Sequence, residues 1–353
     1  MANLAELPTE LFDEIRYDDV LSDEDIISLS CVCKRFRKLC VPSIFDSVRF
    51  SCSKFGLENL RDWAKSELRH HAIFFAYWIP PFLDPKALTL ENFTFTFSDS
   101  EDANGTRRSR EEWHDIFHKH NKDTQEIIKS GTDLTVLSSA LKALPFQGSV
   151  RFDFRNEIQD HHGHILKIPH RIQDSSSLKS QAYAHHIPVL ASALSHARAA
   201  GQHFVFLRLV GMSVVGGDGD WPSSEETRDM LRQSLKQMFG DVDTVILSRS
   251  RTVLRLCTAY PLHIRDVEIQ NMSILRSYVE DFLSSNVASL HRIGIFNLHS
   301  PWSPTNSMKE ITARDVLELL NTRLYQISGI RWELEPEDGL VPRMVRSTLL
   351  SLE

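Results

Sequence analysis

Six histidines fall between residues 161 and 186: His161, His162, His164, His170, His185 and His186. Imidazoles at such density can hold a metal ion, but His161-His162-Gly163-His164 has no cysteine or paired carboxylate at ligand spacing to complete a set. The segment reads as a solvated loop. Cys31-x-Cys33-x6-Cys40 is not a CxxC pair. Thiols two apart on a helix point to different sides, so these read as packed side chains. Gly211-Met212-Ser213-Val214-Val215-Gly216 is one residue too long for a G-x-S-x-G nucleophile elbow. Gly216-Gly217-Asp218-Gly219-Asp220 lacks both the Lys-Ser/Thr of a phosphate loop and the carboxylate ladder of a calcium loop. Lys34-Arg35-Phe36-Arg37-Lys38 reads as the solvated side of a helix. No spacing groups an acid, a base and a nucleophile, so the sequence predicts no catalytic set, no metal and no cofactor.

The chain of 353 residues is long enough for two or more domains. Its 42% apolar and 25% charged composition is that of a globular protein. A formal charge of −7 argues against a general nucleic-acid binder. No apolar run approaches a bilayer span, and no basic start precedes an apolar stretch, so neither membrane nor export is expected. Five cysteines, an odd number, favour reduced thiols and a cytoplasmic or nuclear setting.

Residues 1–50 predict three short helices. Leu11, Phe12 and Ile15 share one face after the helix entry at Leu7-Pro8. Ser22 is the next expected N-cap, with acidic residues following it. Ile26, Ile27, Leu29, Val32, Cys33, Phe36, Leu39 and Cys40 then form a broad apolar stripe, with a bend expected at 30–33. Three helices this short cannot bury their stripes alone, and unburied apolar surface is a docking site.

At residues 4–48 the chain resembles the F-box family, on Leu7-Pro8, Leu11 and Ile15, Asp25-Ile26, Val32-Cys33, Phe36 and the trailing Pro42-x-Ile44-Phe45. Phe36 stands where the family more often has Trp. Ile15 and Leu21 are six residues apart where four is usual, a two-residue insertion near Tyr17-Asp18. The resemblance implies a helix-in-groove contact with a Skp-type adaptor, and through it a cullin–RING ubiquitin ligase. The implied adaptor-binding residues are Leu7, Pro8, Leu11, Ile15, Ile26, Leu29, Val32 and Cys33. The chain would be a non-catalytic, substrate-recruiting subunit. The alternative is a non-ligase scaffold or regulatory protein that binds the same adaptor.

Residues 51–353 alternate strand-like and helical runs, which favours parallel strands with helical crossovers. Strands are expected at 48–50, 73–78, 88–97, 150–154, 204–209, 242–247, 264–269, 290–295 and 330–334. Expected helices include 57–68, 111–129, 134–144, 187–200, 225–238, 274–283 and 313–324, with Ser223-x-x-Glu226 as a capping box. An apolar-x-apolar-x-Asn signature ends at Asn92, Asn156, Asn271 and Asn297, the last two 26 residues apart. This resembles a degenerate leucine-rich repeat of the kind found in fungal-type F-box proteins. The implied fold is therefore a mixed α and α/β molecule: a three-helix F-box followed by an irregular leucine-rich-repeat-like α/β solenoid. Long polar insertions at about 98–110, 156–186, 211–222 and 298–307 each follow an expected strand. They are expected to cluster on one edge and meet an unknown protein target, with Trp221 and Trp302 as candidate anchors.

Overall fold

The computed structural model describes residues 8–17, 21–89, 109–145, 148–160, 165–168, 176–213, 224–258, 260–273, 276–286, 288–299 and 331–334. Three helices come first: α1 (Thr9–Tyr17), α2 (Asp23–Ser30) and α3 (Lys34–Ile44). Ser22 caps α2 as expected, in a reciprocal box with Asp25. Cys33 caps α3, its Sγ accepting from the Phe36 amide at 3.5 Å.

The remainder is mixed α/β. Its elements are β1 (Ser47–Ser51), α4 (Lys54–Lys65), β2 (Phe74–Ile79), α5 (Arg110–Ser130), α6 (Thr132–Ala143), β3 (Gly148–Phe154), β4 (Glu157–Gln159), β5 (Ile165–Lys167), α7 (Ser176–Ala199) and β6 (Phe204–Val210). They continue as α8 (Glu225–Phe239), β7 (Val242–Ser248), α9 (Arg251–Leu256), β8 (Asp266–Ser273), α10 (Arg276–Asn286), β9 (Arg292–His299) and β10 (Arg331–Leu334). Eight strands form one sheet, β1-β2-β3-β6-β7-β8-β9-β10, and every neighbouring pair is parallel. Spatial order is chain order. The crossover helices pack in the same sequence, α4 on α6, α6 on α7, α7 on α8, then α9 on α10. Uniform crossover hand and uniform strand order put the crossover helices on one face.

Register explains the core. Val48, Phe75, Val150, Leu207, Val245, Val267 and Ile293 stand in one row across seven strands, and all are buried. Phe50, Tyr77, Phe152, Leu209, Leu247 and Ile269 make the row beside it. Because side chains alternate, the residues between these rows point the other way. There the row is Arg49, Ala76, Arg151, Arg208, Ile246 and Glu268. This opposite face is thus charged, with Arg208 Nη2 donating to Gln270 Oε1 at 2.9 Å and Arg292 Nη2 to Glu268 Oε1 at 3.3 Å.

Several expectations need correction. Leu88 does not open a strand: its amide bonds the Asp84 carbonyl in a turn. The segment 156–186 is not one long loop. β4 and β5 pair antiparallel within it, and α7 starts at Ser176 rather than 187. Helix α9 occupies the crossover between β7 and β8. The cap of α8 is Ser224, not Ser223. Cys31 is exposed rather than packed, whereas Cys40 is buried. The expected helix at 313–324 lies outside the described residues. Of the Asn signatures, those ending at Asn271 and Asn297 share register, since β8 and β9 pair with a constant offset of 26. Phe152–Asn156 sits two residues out of that register, because Phe152 and not Phe154 aligns with Leu209 and Ile269.

Candidate functional site

Two regions qualify: the exposed face of the first three helices, and a basin at the carboxyl ends of the strands. Helices α1 to α3 share a core of Phe12, Ile26, Phe36 and Cys40, the two rings 6.0 Å apart. Among the described residues seven large apolar side chains are exposed, and four of them (Leu11, Ile15, Ile27 and Val32) lie within the first 32 residues. Val32 is 67% exposed, in the turn that joins α2 to α3. Of the expected adaptor-binding residues, Pro8, Leu11, Ile15 and Val32 face solvent, while Leu29 and Cys33 are half-buried. Ile26 is a correction: at 7% exposure it is spent on the internal core, and Ile27 is the exposed neighbour instead. Leu7 lies outside the described residues.

The basin has a volume of about 740 Å³ and opens where β2, β3, β6, β7 and β8 end, the edge at which parallel α/β sheets take ligands. Its wall carries Arg155, Lys167, Lys179, Arg249 and Arg251 against two carboxylates, Asp153 and Glu157. Both carboxylates are already bonded. Asp153 Oδ2 accepts from Arg151 Nη2 and Arg155 Nε at 2.8 Å each, and Glu157 Oε2 accepts from Arg155 Nη1 at 3.1 Å. Arg155 also lies 3.9 Å over the Trp78 ring, which fixes its plane. In a chain of net charge −7, this is a local excess of cations. Tyr183 stands edge-on to Phe154 and donates to the Ser213 carbonyl at 3.3 Å. Burial pushes its hydroxyl pKa up, so it stays a proton donor. The described wall has no cysteine and no histidine. Five cationic side chains against two bonded carboxylates make the wall chemically suited to a negatively charged group.

Three successive strand ends shape the rim. Gly211, Arg249 and Asn271 all adopt left-handed backbone, with φ of 77°, 51° and 52°. They are neighbours in register: the Gly211 amide donates to the Ser248 carbonyl and the Arg249 amide to the Gln270 carbonyl, each at 3.0 Å. At Gly211 a Cβ would strike the Phe154 carbonyl. Ser250, fully buried, ties this corner by donating to the Leu209 and Ser248 carbonyls. Asn156, Glu157, Lys167, Ile168, Gly211 and Ser213, from two of the four expected insertions, line the basin, and residues 214–222 lie outside the described residues. The expected anchors Trp221 and Trp302 lie outside the described residues, as do His161, His162, His164 and His170.

His185 and His186 belong to α7, not to a loop. His185 Nε2 bonds Asp133 Oδ2 at 2.8 Å. Cys52 and His186 are buried beside them. Burial, with the Asp133 charge, pushes the Cys52 thiol up to about 12. Burial takes His186 down to about 3. Burial also acts to raise Asp133, but the His185 bond and the nearby imidazoles hold it below the ordinary carboxylate value. Positions 52, 133 and 186 are too far apart in sequence for any motif to have joined them.

Neither protein-family models nor curated proteins give a match to this chain.

Proposed function

We propose that the chain is an F-box subunit that docks a Skp-type adaptor with its first three helices and presents a target with the edge of a leucine-rich-repeat-like solenoid. One observation carries this reading: Leu11, Ile15, Ile27 and Val32 remain exposed although a large apolar core lies a few residues downstream. Surface left uncovered in so small a unit is completed by another polypeptide. Strand order equal to chain order, and apolar rows continuous across seven strands, support the solenoid. The cationic basin suits an acidic or otherwise anionic segment of a target. The chain makes and breaks no bond in this scheme; it holds a target lysine near a ligase-bound conjugating enzyme.

The test is affinity capture of the full chain beside a Leu11→Asp, Ile15→Asp variant. Adaptor and cullin are expected to leave the variant's captured set while targets remain. Identical captured sets from both chains would overturn the reading.

A further inference from the structure

The structure assigns to Cys52, Asp133 and His186 a buried binding site for one divalent transition-metal ion, of which zinc fits best. Cys52 Sγ, a carboxylate oxygen of Asp133 and a ring nitrogen of His186 lie within 4.8 Å of one another. They come from three elements that the fold must bring together: the exit of β1, the first turn of α6 and the middle of α7. All three residues are at most 2% exposed.

One observation points to a ligand rather than to a closed polar network. His186 Nε2 is buried with no hydrogen-bond partner. An orphan of that kind is costly to bury, and a bound ion removes the cost. The Tyr77 hydroxyl, fully buried beside Cys52, has no oxygen or nitrogen partner and is hydrogen-bonded to the Cys52 thiol instead. Asp133, by contrast, is oriented from outside the cluster. His185 holds Oδ2 and the Leu134 amide donates to Oδ1 at 2.9 Å, the supporting pattern of a metal carboxylate.

The donor set selects the ion. Thiolate, imidazole and carboxylate suit zinc and its borderline neighbours, not calcium or magnesium, which take oxygen. On binding, the thiol proton leaves to solvent and sulfur's pair goes to the metal. One thiolate and one carboxylate then balance the 2+ charge, leaving a neutral site in an apolar surround. Metal–ligand bonds of about 2.0–2.3 Å set tetrahedral donors roughly 3.3–3.6 Å apart. The donors therefore draw together as the ion enters, with a neutral water completing four ligands.

The test uses the full-length chain, expressed with zinc in the medium and purified without chelator. Elemental analysis is expected to find about one zinc per chain, lost in Cys52→Ser and in His186→Ala. Exchange into cobalt is expected to give a thiolate-to-metal charge-transfer band in the near ultraviolet, absent from Cys52→Ser. Should the variants fail to fold, X-ray absorption of the wild-type zinc decides: one sulfur beside nitrogen and oxygen ligands supports the site. Wild-type chain that stays metal-free in excess zinc overturns it, as does zinc with no sulfur neighbour, or zinc retained by folded Cys52→Ser.

Discussion

The three amino-terminal helices and the sheet behind them solve the burial problem in opposite ways. Helices α1 to α3 bury Phe12, Ile26, Phe36 and Cys40 together and leave four large apolar side chains in solvent. The rest of the described chain, about six times longer, leaves three: Phe55, Ile73 and Phe206. The reason is geometric. A short helix covers one stripe of a neighbour, so three of them run out of partners. A parallel sheet with helices along one face lets each strand share its apolar row with the next, so no inner position is left over. The small unit therefore ends in a greasy surface and the large one in a charged face and rim. An apolar surface and a cationic basin suit partners of different chemistry, as the proposed linking role requires.

The comparison breaks most visibly at the core rows. Phe152 has no exposed surface and neighbours Tyr77 and Leu209 in register. Phe152→Ala is expected to cost about 3–5 kcal/mol by denaturant unfolding, through lost transfer energy and the cavity left behind. A loss under about 1 kcal/mol would show that the row is loosely packed. Next comes the rim. Gly211→Ala meets both a left-handed backbone and the Phe154 carbonyl, and is expected to cost about 2–4 kcal/mol. Arg249→Gly is expected to be neutral within about 1 kcal/mol, because relief of strain offsets the added freedom of the unfolded chain. Equal effects at the two positions would remove the close approach from the explanation.

A smaller effect separates the regions by pH. His120 on α5 is buried, and burial lowers its pKa from 6.5 to about 4. The folded state then holds fewer protons than the unfolded state between those values. Its contribution is complete above pH 6.5 and is lost as the pH falls towards 4, by up to a few kcal/mol. His120→Gln is expected to flatten the stability–pH slope across that window. An unchanged slope would mean that His120 is accessible to water. The smallest stability effect belongs to the helices: Val32→Asp, at a 67% exposed position, is expected to move stability by no more than about 0.5 kcal/mol. A loss of several kcal/mol would mean that Val32 is already covered.

What was legible in the sequence follows the same division. Period-two apolar runs placed β1 to β3 and β6 to β9 because strands buried on one face alternate apolar and polar residues. Ser22 announced α2 through its cap chemistry. Leu88 misled because it closes a turn anchored by Asp84, while residues 90–97 of that expected strand lie outside the described residues. The hairpin of β4 and β5 was missed because its strands are three residues each and their apolar faces, Ile158 and Leu166, pack on Trp113 and Phe117 of a helix some forty residues earlier. Ile26 and Ile27 are adjacent, and only the docking of α2 on α3 decides which turns inward. The basin and the Cys52, Asp133 and His186 cluster were invisible for one reason: strand order, not local pattern, brings their residues together.

The most direct test is titration of purified Skp-type adaptor into the full-length chain by calorimetry, with Leu11→Asp, Ile15→Asp protein beside it. Saturable one-to-one binding by the wild type, weakened at least about tenfold in the variant at unchanged thermal stability, is the predicted result. Equal affinity for both chains, or no binding to the wild type, would contradict the claim that another polypeptide completes the amino-terminal surface.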